Sequence, residues 1–88
     1  MATTTIVQTE VPNYDEWRRG FDGNEQKRAN AGIFIQGVYR DVDNRNKVTV
    51  ISKAESVEAA KNFFQSSAWS AAMEKSGKTA HVMILETT

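Results

Sequence analysis

The hydrophobic pattern of the chain turns on residues 32–54, GIFIQGVYRDVDNRNKVTVISKA. Ile33, Ile35 and Tyr39 alternate with Phe34, Gln36, Val38 and Arg40, and Val48, Thr49, Val50 and Ile51 follow a polar run of Asp, Asn and Arg. β-Branched and aromatic residues suit a pleated, half-buried surface, and the Asp/Asn cluster supplies turn chemistry, so the stretch predicts two strands joined by a polar turn. Both faces of these strands carry large apolar side chains, whereas a sheet with one solvated face shows a polar residue at every second position. Each face therefore needs a cover, and the chain offers helices for only one.

Before this hairpin, residues 4–11 alternate loosely, with Ile6, Gln8 and Glu10 on one side and Thr5, Val7 and Thr9 on the other. Pro12 closes this first strand, since proline cannot donate to a ladder. Asn13 stands three residues before Glu16 as a capping box, and Tyr14, Trp17, Phe21, Arg28 and Ala31 recur at helical spacing as one stripe. Gly20 and Gly23 weaken the middle of that helix and predict a bend; Gly32 is placed to cap its end. After the hairpin, Ser56 caps a second helix with Val57, Ala60 and Phe64 on one face and Phe63 beside them. Gln65-Ser66-Ser67 interrupts the pattern, which resumes with Trp69, Ala72 and Met73 and stops at Ser76-Gly77, predicting two helical pieces. Residues 79–87 form the last strand, with Ala80, Val82 and Ile84 on one face and His81, Met83 and Leu85 on the other.

The order βαββαβ, with right-handed crossovers, predicts a ferredoxin-like α+β domain: an antiparallel sheet with both helices on one side. Its other side remains apolar with no chain left to cover it. A second copy of the same sheet is the natural lid, giving a two-fold homodimer, because a monomer would expose more apolar surface than monomers normally tolerate.

Composition narrows the picture further. Eighty-eight residues with no repeat or linker read as one domain, 1–88, that buries only roughly 60–65% of its unfolded surface and gains from a partner. The absence of cysteine excludes disulfides and thiolate metal sites, and a single histidine excludes a His-rich one. Eleven basic side chains balance eleven acidic ones with no long run of either sign, which argues against a nucleic-acid partner. The amino terminus lacks a basic segment followed by an apolar one, and no apolar run is long enough to span a bilayer. The expectation is a soluble cytoplasmic protein with no membrane partner and no cofactor.

The runs VPNYDEWRRGFD, GVYRDVDNRNKVTV and AESVEAAKNFFQSSAWSAAMEKSG, covering nearly the whole chain, resemble the dimeric α/β-barrel superfamily, nearest to its short members grouped with the antibiotic-biosynthesis monooxygenase domains. The resemblance implies a homodimer built on a shared barrel, with a cavity between sheet and helices in each subunit. It implies no single activity, since the superfamily holds cofactor-independent oxygenases of aromatic substrates, polyketide cyclases and haem-degrading enzymes. Plant-type cyclases resemble one another in a His-Pro-x-His stretch where this chain has Ser66-Ser67-Ala68-Trp69. Haem-degrading members place an asparagine on strand one, a tryptophan on the second helix and a histidine ligand near its end. Trp69 matches the tryptophan, Gln8 replaces the asparagine, and the lone histidine falls beyond Gly77. Aromatic-polyketide oxygenases are similar in carrying asparagine and tryptophan on the second helix, where Asn62 and Trp69 stand.

Two functions follow as expectations. One is a cofactor-free oxygenase or cyclase/isomerase acting on a small aromatic or polyketide-like compound. In it His81, the chain's only imidazole, acts as base. Trp17, Phe21, Phe64 and Trp69 line an apolar pocket, and Tyr39 or Asn62 steadies a developing oxyanion. The other is a non-catalytic small-ligand-binding or dimerisation module, with haem binding a lesser variant. Each candidate also has a plain structural reading: His81 as a hydrogen-bonded core histidine, the aromatics as packing, and Arg40 with Asp41 as a surface ion pair. Gln8, Gln36 and Thr49 are further polar candidates. No paired carboxylates, nucleophile motif or phosphate-cradling loop is present.

Overall fold

A computed structural model describes residues 2–67, 69–70 and 80–88. The elements follow in the order β1 (Thr3–Glu10), α1 (Tyr14–Gly23), α2 (Glu25–Asn30), β2 (Ile33–Arg40), β3 (Lys47–Ala54), α3 (Val57–Phe64) and β4 (His81–Glu86). The four strands form one antiparallel sheet in the order β2-β3-β1-β4, the ferredoxin-like arrangement expected from the pattern. Directly paired residues share a face, so the registers Val7–Val50 and Val7–Val82 define the side that the helices cover. Ile6–Ile51 and Ile6–Met83 define the other.

Local chemistry accounts for the helix boundaries. Asn13 Oδ1 accepts the backbone N–H of Glu16 at 3.1 Å, and Ser56 Oγ accepts that of Ala59 at 3.0 Å, so both sequence-read caps are made. The bend expected at the glycines is a full break. α1 stops at Gly23, Asn24 adopts φ −99° and ψ 9°, and its side chain donates to the Gly20 carbonyl at 3.0 Å before α2 begins. Gly32 follows α2 with φ +81°, a left-handed turn that sends the chain straight into β2. Beyond α3, Ser66 Oγ donates to the Phe63 carbonyl (2.7 Å) and accepts from Trp69 N–H (3.2 Å), linking the end of one helical piece to the start of another. The continuation read from Ala72 and Met73, and the start of the last strand at Thr79, lie outside the described residues.

One irregularity has a consequence for the site. Ile35 pairs with Ser52 but Gly37 pairs with Ile51, so Gln36 is the extra residue of a β-bulge. Alternation along β2 therefore slips by one. Ile33, Ile35 and Val38 face the helices, while Phe34 and Tyr39 face away. The simple alternation that put Tyr39 on the Ile33–Ile35 face is corrected by this bulge. Arg40, after the bulge, is not paired with Asp41 as expected: its guanidinium lies 3.9 Å from the Tyr14 ring centre and its Nε donates to the Arg45 carbonyl at 2.7 Å.

The inward face of the sheet is built from small side chains. Val7, Val48 and Val50 are buried there beside Thr3, Thr5, Thr9 and Ser52, and Val48 and Thr5 are the largest side chains that are fully enclosed. Thr5 and Ser52 hydrogen-bond across the β1–β3 ladder, which satisfies both hydroxyls. On the helix side of the sheet the aromatic residues Tyr14, Trp17, Phe21, Phe63, Phe64 and Trp69 are only half-buried. Small residues on the floor and large ones standing along the walls leave a hollow between the layers.

Candidate functional site

That hollow is a cavity of about 770 Å³, within the roughly 300–1,000 Å³ usual for small-molecule sites. Its floor is Val7, Thr9, Ile35, Val50 and Ser52. One wall comes from α1, where Trp17 and Phe21 stack with ring centres 4.9 Å apart and Tyr14 tilts against Trp17 at 5.8 Å. The opposite wall is a cluster of Phe63, Phe64 and Trp69, whose edge-to-face pairs lie 5.1 and 4.9 Å apart. Such pairs hold their rings in fixed orientations and present flat apolar surfaces. Glu16, Gly20 and Lys27 stand at exposed positions around the rim.

Among the polar residues of this lining, two have a buried atom without a partner among the described residues. Arg28, on α2, is buried to 8% exposure, with its guanidinium 3.8 Å from the centre of the Phe21 ring. Its Nε is enclosed and has no hydrogen-bond partner among the described residues. Burial, the dominant influence, lowers its pKa; the nearby Glu25 and Asp22 charges act in the opposite direction. An arginine starts so high that it stays cationic at neutral pH. The hydroxyl of Thr9 is likewise enclosed and unpartnered among the described residues. Both residues line the same cavity.

Four of the residues read from sequence, Trp17, Phe21, Phe64 and Trp69, meet around this cavity. The three polar candidates do not join them. His81 pairs with Gln8 on the face away from the helices and is exposed rather than shielded beside Met83 and Leu85. Tyr39 pairs with Thr49 on that same face and is 54% exposed. Asn62 is exposed on α3 and is not part of the lining. Gln8 and Gln36 are exposed as well, and Thr49 lies on the outer face. Sequence reasoning passed over Arg28 and Thr9. The signal for Arg28 was present, as the one charged residue in an otherwise apolar helical stripe. Thr9 gave none beyond its place on the Val7 side of β1.

Haem fits this lining poorly, since no described residue of the cavity is a histidine and the chain's one histidine lies across the sheet. Among the described residues no group of three or more His, Cys, Asp or Glu is placed to hold a metal ion, and no helix is long and apolar enough to cross a membrane.

The sheet order, the helices on one face and the hollow between the layers define the class: a ferredoxin-like α+β domain. The chain belongs to the family described as a domain of unknown function, DUF3764, whose model matches residues 1–87. Several solved structures share the fold. SnoaB from Streptomyces nogalater, a cofactor-independent oxygenase solved in a mutant form, superposes with a TM-score of 0.76 at 14% identity, over 98% of this chain and 92% of that one. An antibiotic biosynthesis monooxygenase gives 0.69 at 8% identity, over 98% of each chain. A dimeric ferredoxin-like protein from an uncultured marine organism gives 0.64 at 8% identity, over 99% of this chain and 95% of that one. At these identities the likeness is one of fold. No curated protein matches the sequence.

Proposed function

We propose that the protein is a homodimer, closed through the outer face of its sheet, that binds a small, flat, mostly apolar molecule in the cavity of each subunit. The cavity carries this reading: a large hollow with aromatic side chains on two walls and few polar groups is the usual form of a small-molecule site. Dimerisation is supported by the outer face, where Phe34 and Leu85 are 47% and 44% exposed around the Ile6, Ile51 and Met83 side chains. It is further supported by the dimeric description of one protein of the same fold. His81 and Tyr39 then belong to the subunit seam rather than to the ligand site.

A panel of small bicyclic aromatic compounds tests the reading by NMR. Binders should shift the resonances of Trp17, Phe21, Phe64 and Trp69. They should lose affinity when Gly20→Trp places bulk at the rim, where an added Cβ meets no atom within 4 Å. Shifts confined to Phe34, Tyr39 and Leu85, or binding indifferent to Gly20→Trp, would remove the cavity from the function.

A second reading, a cofactor-independent oxygenase, is favoured by the fold shared with SnoaB. Oxygen consumption with compounds that pass the binding test decides it. The sequence-read base His81 and oxyanion residues Tyr39 and Asn62 lie outside the cavity, so this reading needs polar groups from the cavity itself.

A further inference from the structure

A buried arginine whose Nε has no partner among the described residues is an uncommon feature for a chain with so small a core. Removing a guanidinium from water without giving its N–H groups acceptors is unfavourable, and buried charges are ordinarily paired. Arg28 is held by its aromatic neighbour: the guanidinium lies over the face of Phe21, an arrangement that occupies the flat side of the group and leaves its in-plane N–H donors to other partners. Phe21 is in turn fixed by stacking on Trp17. Of the other charged side chains on the cavity, Glu16 and Lys27 stand exposed at the rim. Glu25 and Asp22 influence Arg28 only through their fields, and Asp22 is bonded to Arg18 at 3.0 Å. On the floor, the buried Thr9 hydroxyl is unpartnered among the described residues.

Resting on the cavity reading above, we propose that the ligand is an aromatic carboxylic acid, bound as its carboxylate by the edge of Arg28, with the Thr9 hydroxyl as a further donor and the ring system between the two aromatic walls. A carboxylate matches the planar fork of an arginine with two parallel hydrogen bonds. It supplies an acceptor, of which the buried Nε has none among the described residues. In an apolar surround such a charged pair discriminates strongly against a neutral isostere, because the isostere leaves the cation unpaired.

The test is isothermal titration of the full chain with 2-naphthoate and with 2-naphthamide, which share rings and size and differ in charge. Wild-type protein should bind the acid about 10- to 100-fold more tightly than the amide, the range expected of a hydrogen bond to a charged group. That preference should vanish in Arg28→Gln, shrink in Arg28→Lys, which keeps the charge but not the fork, and narrow in Thr9→Val. In wild-type protein the acid should shift the Arg28 Nε–H resonance, a readout that does not depend on any variant folding. Equal affinity for acid and amide would overturn the carboxylate assignment and leave the cavity reading standing. A preference surviving Arg28→Gln, or an unmoved Nε–H resonance, would overturn it too. Binding of neither compound would overturn both.

Discussion

The Arg28 guanidinium lies 3.8 Å from the centre of the Phe21 ring, joining α2 to α1 across the break at Asn24. The contact is favourable by about 0.5–2 kcal/mol, while the idle buried donor costs about 1–3 kcal/mol, so the two terms nearly offset. Arg28→Met keeps most of the volume and removes both. It should therefore unfold within about 1 kcal/mol of wild type, or slightly above it, in urea denaturation. A clear loss of stability would mark Arg28 as structural.

Two glycines should respond to alanine with opposite signs. Gly32 adopts φ +81°, and a Cβ there would meet the Glu55 carboxylate at 2.6 Å. Gly32→Ala should destabilise by about 1–2 kcal/mol, mainly through the left-handed backbone, since the Glu55 side chain can move aside. Gly20 lies inside α1 with nothing within 4 Å of an added Cβ. Gly20→Ala should stabilise by about 0.5–1 kcal/mol. Midpoints from paired urea titrations with unchanged slopes check both.

Much of this architecture was legible because it depends on short-range rules. The caps at Asn13 and Ser56, the left-handed Gly32 and the alternation along β1, β3 and β4 are local, and each is present. The excess of apolar faces over helices likewise pointed to an outer sheet face left uncovered. The cavity walls followed from helical spacing, which places Trp17 with Phe21 and brings Phe64 to the inner side. His81 and Tyr39 lie away from the cavity for two physical reasons. The bulge at Gln36 inverts the remainder of β2, and a one-residue slip cannot be seen in a strand whose two faces are both apolar. His81 was placed correctly with Met83 and Leu85, but which face of β4 meets the helices depends on long-range pairing with β1. Arg28 was overlooked because its interest lies in a missing partner, a three-dimensional property.

His81 supplies a direct check on that assignment of faces. It pairs with Gln8, whereas the next residue on each strand, Val82 and Val7, is turned toward the cavity side. His81→Ala should leave the affinity for cavity ligands unchanged, measured by the same titrations. A large loss would place the imidazole in the ligand site.

The hairpin turn should show a pH signature. Asp41 Oδ2 accepts the backbone N–H groups of Asn44 at 2.9 Å and Asp43 at 3.0 Å, and these bonds hold its carboxyl below the usual carboxylate range. Because the folded value is depressed, the contribution to stability is present above the ordinary carboxylate range and is lost as pH falls through the folded value. Carbon-detected NMR titration should find Asp41 titrating below the ordinary aspartate range, with the Asn44 and Asp43 amide shifts following the same curve. An ordinary midpoint would mean that the turn does not hold these bonds in solution.

The outer face provides the last prediction. Ile51 lies at its centre, opposite Ile6 on one side and Gly37 on the other, with Met83 one strand further along. In a monomer it would be a half-exposed position at which lysine is nearly neutral, since surface substitutions usually change stability by about 0.5 kcal/mol or less. In a dimer closed through this face it is the middle of a desolvated contact, where an unpaired ammonium is strongly unfavourable. Sedimentation equilibrium should therefore give wild-type protein twice the 9.8 kDa mass of the chain and Ile51→Lys the single mass, with the variant also less stable because half of its apolar sheet is left in water. A wild-type mass of one chain at micromolar concentration would mean that this face has another occupant. An unchanged mass for Ile51→Lys would mean that the subunits associate elsewhere.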